Sequence, residues 1–235
     1  MEGAAREPEI LTLCRFLQQC GAWIEGAGSS VLVIHGGRRL YGTDFAVPAD
    51  RIVAGTYLFG CIGAGGSIFL EQAPKEEMEA VLLTAEQMGG HVCVSEEGIY
   101  VQAPGRPMAV ELVTQPHPGF PTDLQSVVLA VEAKGEGCSH IEENIFENRF
   151  RVVEELRKMG ARIEQDGSRS VSVQGVETLS GSAVEARELR GGAALVVAGL
   201  MAEGETLVEG CQYIYRGYEN IGRDFRELGA RVVSV

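Results

Sequence analysis

One element occurs four times in this chain at nearly constant spacing: an amphipathic helix, a glycine and a short apolar run. It reads Phe16-Leu17-Gln18-Gln19-Cys20-Gly21-Ala22-Trp23-Ile24, then Ala85-Glu86-Gln87-Met88-Gly89-Gly90-His91-Val92. Leu156-Arg157-Lys158-Met159-Gly160-Ala161-Arg162-Ile163 and Phe225-Arg226-Glu227-Leu228-Gly229-Ala230-Arg231-Val232 are the later copies. Gly21, Gly89, Gly160 and Gly229 stand 68, 71 and 69 residues apart. Self-similarity at a fixed period marks a repeat of one supersecondary unit. Each glycine suits a helix end, where the left-handed conformation is open to glycine at no steric cost. The apolar run behind it predicts a buried strand.

A second element alternates with the first. It is a helix rich in Ala, Val and Leu within Gly55 to Gly66, Gln125 to Gly137 and Ala193 to Gly204, each begun near an acid: Asp50, Asp123 and Glu188. Weak amphipathicity predicts that these helices are mostly buried. The unit therefore reads strand, buried helix, strand, surface helix, strand, strand, with turns at Gly26-Ala27-Gly28-Ser29, Glu96-Glu97-Gly98 and Gln165-Asp166-Gly167-Ser168. Residues 1–47 hold the second half of a unit, two units follow, and residues 188–235 hold a first half. The expectation is a chain cut from a longer one.

Composition sets limits on function. The chain has 235 residues, 45% of them hydrophobic, and a formal net charge of −13. An acidic protein lacks the positive footprint of a nucleic-acid binder, although a few arginines can still hold a phosphate or carboxylate. No apolar run is long enough to span a membrane, and the first residues lack a signal peptide's apolar core. Cys14, Cys20, Cys61, Cys93, Cys138 and Cys211 show no metal-binding spacing and read as reduced core residues of a cytoplasmic protein. The four scattered histidines suggest no metal site.

Several strings add a resemblance to this pattern. They are Ala4-Ala5-Arg6-Glu7-Pro8-Glu9-Ile10, Pro116-His117-Pro118-Gly119-Phe120-Pro121-Thr122-Asp123-Leu124-Gln125, Ile145-Phe146-Glu147-Asn148-Arg149-Phe150 and Arg216-Gly217-Tyr218-Glu219. With the repeat, they resemble the enolpyruvyl transferases over essentially the whole chain. The second and third strings resemble members acting on UDP-N-acetylglucosamine rather than on shikimate phosphate. The resemblance implies an α/β fold, the inverse α/β prism built of βαβαββ repeats of about 70 residues, truncated at its N-terminus. Residues 1–48 would be the remnant of a first prism domain. Residues 49–235 would be a second domain that lacks its N-terminal strand.

The resemblance further implies transfer of the enolpyruvyl group of phosphoenolpyruvate to the 3′-hydroxyl of UDP-N-acetylglucosamine. Phosphate is released, the setting is peptidoglycan precursor synthesis, and no cofactor or metal is needed. By resemblance, Asp123 contacts that hydroxyl and takes its proton; from the residues alone, Asp123 could instead cap a helix beginning after Pro121. Ile145 matches a backbone contact to the nucleotide sugar and reads otherwise as a strand residue. Arg216 matches an arginine for the phosphoenolpyruvate carboxylate, a role that suits a planar guanidinium; the alternative is a surface arginine at a helix start. Arg149 and Arg190 are further candidates for the anionic cleft, with a surface Glu147–Arg149 pair as the alternative. Helix N-termini facing one cleft would help to hold phosphate.

Several positions depart from the family pattern: Val53 and Tyr215 stand where acids are usual, Glu188 replaces Asp, and Asp224-Phe225 replaces Lys-Leu. The family's Lys-Asn pair, its mobile loop with the acid cysteine and a further arginine have no counterpart here. The chain alone is therefore expected to be inactive, as a fragment, as half of a split enzyme with a separate N-terminal chain, or as a non-catalytic nucleotide-sugar-binding module. Gly63-Ala64-Gly65-Gly66 reads as a helix end, and Phe59-Gly60-Cys61-Ile62-Gly63 as part of a buried helix.

Overall fold

The alternation of buried and surface helices appears in full in the computed structural model, which describes residues 1–103 and 105–233. The chain begins with α1 (Pro8–Gln19), β1 (Trp23–Glu25) and β2 (Val33–His35). It continues with α2 (Arg51–Ala64), β3 (Ser67–Glu71), α3 (Glu79–Gln87), β4 (His91–Val94) and β5 (Gly98–Gln102). The next unit is β6 (Glu111–Val113), α4 (Thr122–Glu132), β7 (Cys138–Glu142), α5 (Val153–Lys158), β8 (Arg162–Asp166) and β9 (Ser170–Gln174). Last come β10 (Leu179–Ser180), β11 (Ala183–Glu185), α6 (Leu189–Met201), β12 (Ala202–Glu203), β13 (Leu207–Glu209) and α7 (Ile221–Glu227).

The unit from β6 to β9 forms a four-stranded sheet in the order β6-β7-β9-β8, parallel between β6 and β7 and antiparallel beyond. The unit before it forms only the antiparallel β3-β5-β4. In the last, β10 pairs with β12 and β11 with β13, both in parallel.

The four repeat glycines share one hydrogen-bond pattern. Each has positive φ. The amides of Gly21, Gly89, Gly160 and Gly229 donate to the carbonyls of Gln18, Glu86, Arg157 and Arg226. The next amides, of Ala22, Gly90, Ala161 and Ala230, donate to Leu17, Ala85, Leu156 and Phe225. This is a Schellman end, which satisfies the orphan carbonyls of the last turn.

The three apolar helices α2, α4 and α6 pack on one another and form the centre of the main core. Their contacts fix their direction. A Cβ on Gly55, in the first half of α2, would collide with Leu124 in the first turn of α4. A Cβ on Gly63, in the last turn of α2, would collide with Met201 at the end of α6 and meet Val131 near the end of α4. The helices therefore run parallel, with their N-termini at one end. Asp50 caps α2 through the amides of Ile52 and Val53, and Glu188 caps α6 through those of Arg190 and Gly191.

Some expectations need correction. The runs behind the glycines are not buried strands. β1 and β8 each bury one residue, Ile24 and Ile163, and β4 buries none. Each pairs on one side only, so each is an edge with one face toward the core. Ala230–Val233 forms no strand. Three of the six cysteines are buried, whereas Cys93 and Cys138 are exposed; all six are free.

Residues 1–35 have a small apolar cluster of their own, around Cys14, Ile24 and Leu32. Glu9 on α1 joins them to α2: Arg51 donates to it through Nε (2.8 Å) and Nη2 (3.2 Å). Burial disfavours the charged Glu9 carboxyl, but the Arg51 bond and charge together with a backbone hydrogen bond hold it below the usual carboxylate range. The pairing also offsets the cost of a cation at a helix N-terminus.

A fully buried acid sits at the far end of α4. Glu132 accepts a bond from Ser139 Oγ, and its other oxygen has no partner among the described residues. Burial pushes its carboxyl up to about 7. Between about pH 4.5 and pH 7 the folded chain thus holds a proton that the unfolded chain releases, so stability falls as pH rises through this window. A difference of that size is worth on the order of 3 kcal/mol. E132Q is expected to match the parent in urea unfolding at pH 5 and to exceed it in stability at pH 8. An equal offset at both pH values would show that Glu132 does not hold this proton.

Candidate functional site

The first turns of α4 and α6 meet at the shared N-terminal end of the three helices. Pro121 precedes α4 with φ of −71° and offers no side-chain cap. Thr122 and Asp123 therefore open the helix with free side chains. Thr122 Oγ1 donates to Glu143 Oε2 (2.9 Å). Asp123 does not cap α4. Its Oδ1 accepts from Arg149 Nη2 (2.5 Å) and its Oδ2 from Arg190 Nη2 (2.7 Å). About a third of its side chain stays exposed, at 34%. One carboxylate thus bridges two half-buried arginines.

Each arginine is set by its own element. Arg190 lies in the first turn of α6, where the helix field disfavours a cation; the Glu188 cap and Asp123 offset that cost. Arg149 begins the 3-10 turn Arg149–Val152, directly after Asn148, whose φ of +57° is one asparagine tolerates. Its guanidinium lies 5.4 Å from the centre of the Phe146 ring. Arg149 Nε is buried with no partner among the described residues, leaving one donor unused. The alternative Glu147–Arg149 pair does not form: Glu147 faces Arg169 at 3.8 Å.

The electrostatics follow from this bridge. Burial raises the Asp123 carboxyl, yet the charges and hydrogen bonds of Arg190 and Arg149 together leave it below the usual aspartate range. For Arg190, burial disfavours the cation, but Asp123 outweighs that and raises it. Asp123 is therefore ionised at neutral pH and a weak base while both arginines hold it. The helix N-termini offer an anion less than expected, because acids already cap α2 and α6. The arginines carry the attraction instead.

Two candidates sit differently. Ile145 is not a strand residue; it lies in the loop after β7, its amide donating to Glu143 Oε1 (2.8 Å). Arg216 ends the 3-10 turn Cys211–Arg216 rather than starting a helix, and a cation at a helix's C-terminal end is favoured. It is exposed and makes no hydrogen bond or ion pair among the described residues. A Cβ on the adjacent Gly217 would press on Leu189, the first residue of α6, so Arg216 borders the same end. Tyr218, two residues on, is buried and bonded to Thr56 Oγ1 on α2 (2.7 Å).

Reading the residues missed Glu143, which stands alone in a loop with no motif to flag it. Two departures are locally matched. Glu188 performs the cap, and Asp224 accepts from the Tyr57 hydroxyl (2.7 Å). Nothing in the structure explains Val53 or Tyr215. A cavity of about 220 Å³ adjoins the bridge, lined by Phe146, Glu147, Asn148, Arg149, Arg151 and Glu188. A larger hollow of about 560 Å³ lies over α3 and β4 and touches none of the candidates.

Comparisons with known proteins bear on the family and the fold. The model of the family described as EPSP synthase (3-phosphoshikimate 1-carboxyvinyltransferase) matches residues 1–225. A UDP-N-acetylglucosamine 1-carboxyvinyltransferase of Idiomarina loihiensis is 43% identical over the whole chain, which covers 56% of that relative. One from Nitratidesulfovibrio vulgaris is 46% identical over 99% of the chain and 56% of the relative. The chain thus spans about half the length of the curated relatives it matches. Among solved structures, the enolpyruvyl transferase NikO from Streptomyces tendae superposes with a TM-score of 0.87 at 24% identity, over 99% of this chain and 55% of that one. EPSP synthase from Acinetobacter baumannii gives 0.70 at 17% identity, over 94% and 54%. These two show the fold.

The bridge makes a direct expectation. In a carboxyl ¹³C NMR titration, R190Q and R149Q should each raise the Asp123 midpoint toward the ordinary aspartate range. A midpoint unmoved by both would show that the arginines do not set it.

Proposed function

Because this chain belongs to the enolpyruvyl transferase family that includes EPSP synthase, we propose that it carries part of the machinery for one specific transfer. The enolpyruvyl group of phosphoenolpyruvate passes to the 3′-hydroxyl of UDP-N-acetylglucosamine and phosphate leaves, as a step of peptidoglycan precursor synthesis in the cytoplasm. The observation that carries this reading is the Asp123 carboxylate held between Arg149 and Arg190. The 43–46% identity to relatives bearing that activity's name supports the choice of substrate.

Each residue has a role in this proposal. Asp123 takes the proton of the sugar hydroxyl, a contribution of roughly 10²–10⁴-fold. Arg149 and Arg190 receive the phosphate and carboxylate groups of the substrates, to which a guanidinium fork bonds in pairs. As those anions take guanidinium N–H groups, Asp123 loses part of the charge that depresses it and becomes a better base. Arg216, exposed at the same end, reaches the phosphoenolpyruvate carboxylate. Ile145 offers its backbone to the nucleotide sugar.

Residues 1–48 belong in this reading to a first domain, and residues 49–235 to a second. The separate apolar clusters on the two sides of Pro48 support that boundary. The proton donor to carbon and the rest of the phosphate clamp come from sequence outside these 235 residues, in the same polypeptide or in a separate N-terminal half.

The test is a phosphate-release assay with both substrates, paired with calorimetry of UDP-N-acetylglucosamine binding. The 235 residues alone are expected to bind the nucleotide sugar without turnover, and D123N to weaken that binding. Adding the complementary half should restore turnover in the parent and leave D123N at least about 100-fold slower. Turnover by the 235 residues alone, or D123N indistinguishable from the parent, would contradict the proposal.

A further inference from the structure

Glu143 follows β7 and is fully buried. Its Oε1 accepts from the amides of Ile145 (2.8 Å) and Phe146 (2.9 Å), and its Oε2 accepts from Thr122 Oγ1 (2.9 Å). A buried carboxylate is tolerated only when such partners surround it. These three donors come from two places: the first residue of α4 and the loop that ends at Arg149. Asp123 is the neighbour of Thr122. Arg149 rests on the ring of Phe146. The two halves of the Asp123–Arg149 pair are therefore tied through one side chain. The surrounding main chain is fixed as well, since Asn144 N donates to Thr114 Oγ1 (2.9 Å) and Glu143 N to Arg169 O (2.7 Å).

The same bonds orient one carbonyl. The Ile145–Phe146 peptide is trans, so its C=O points opposite to its N–H. With the Phe146 N–H directed at buried Glu143, the Ile145 carbonyl points away from Glu143. No donor meets that carbonyl among the described residues.

We infer that Glu143 is a positioning residue: it holds Asp123 and Arg149 at bonding distance and turns the Ile145 carbonyl outward as an acceptor for the nucleotide sugar. The inference rests on the reading of Asp123 and Ile145 given under Proposed function. Glu143 itself touches no substrate.

The test uses E143L, E143Q and T122V in the 235-residue chain, with two readouts. One is the Asp123 carboxyl midpoint and the Ile145 and Phe146 amide shifts without ligand. The other is calorimetric affinity for UDP-N-acetylglucosamine. E143L should raise the Asp123 midpoint and weaken binding by about tenfold or more, the scale set by one lost charge-assisted network. E143Q keeps an oxygen for both amides and should recover most of the affinity, with the two amide protons shifted upfield by the neutral acceptor. T122V cuts only the link to α4; it should raise the midpoint and weaken binding several-fold while leaving the amides in place. Folded E143L with an unchanged midpoint and affinity would overturn the inference. If E143L does not fold, T122V with both readouts unchanged would do so. If the parent fails to bind the nucleotide sugar, the proposed substrate falls, while the ligand-free midpoint still decides the role of Glu143.

Discussion

A side chain as small as alanine at Gly55 would strike Leu124, and one at Gly63 would strike Met201. These close approaches let α2, α4 and α6 lie parallel, each sinking an apolar body into one core. The arrangement has a consequence for chemistry. Parallel helices bring their first turns to one end, so Arg51, Asp123 and Arg190, far apart in sequence, gather there. Sheets and surface helices wrap this bundle and bury its flanks. At the shared N-terminal end the first turns of its helices carry charge.

Charge at that end is arranged against the protein's acidic background. Asp50 and Glu188 satisfy helix amides, Glu9 answers Arg51, and Asp123 answers Arg149 and Arg190. The site is thus internally neutralised before any ligand arrives. In the proposed function, an anion that takes over the arginines would also release the carboxylate they hold, which would couple anion binding to basicity at Asp123 through shared partners.

Much of the fold was legible because its signals are local. The four glycines mark helix ends, where chirality leaves few other choices, and all four adopt the same capped geometry. The long apolar runs mark buried helices. Strand burial was not legible: the runs behind the glycines are as apolar as core strands, but three lie at sheet edges and Ala230–Val233 forms no strand, and edge position is a tertiary property. The string around Asp123 singled it out as a candidate, but nothing local showed which arginines would meet it. Arg149 and Arg190 are the arginines the structure joins to Asp123. That pairing depends on elements meeting across 26 and 67 residues of chain. Glu143 and Glu132 gave no signal, since a buried acid is written in the sequence like an exposed one.

The central claim is that the shared N-terminal end of the three helices is where the nucleotide sugar binds. An amide ¹H–¹⁵N spectrum of the chain, titrated with UDP-N-acetylglucosamine, tests it most directly. The account predicts changes concentrated on the first turns of α4 and α6 and on Ile145 to Arg149. Changes confined to the hollow over α3 and β4, with those segments still, would contradict it.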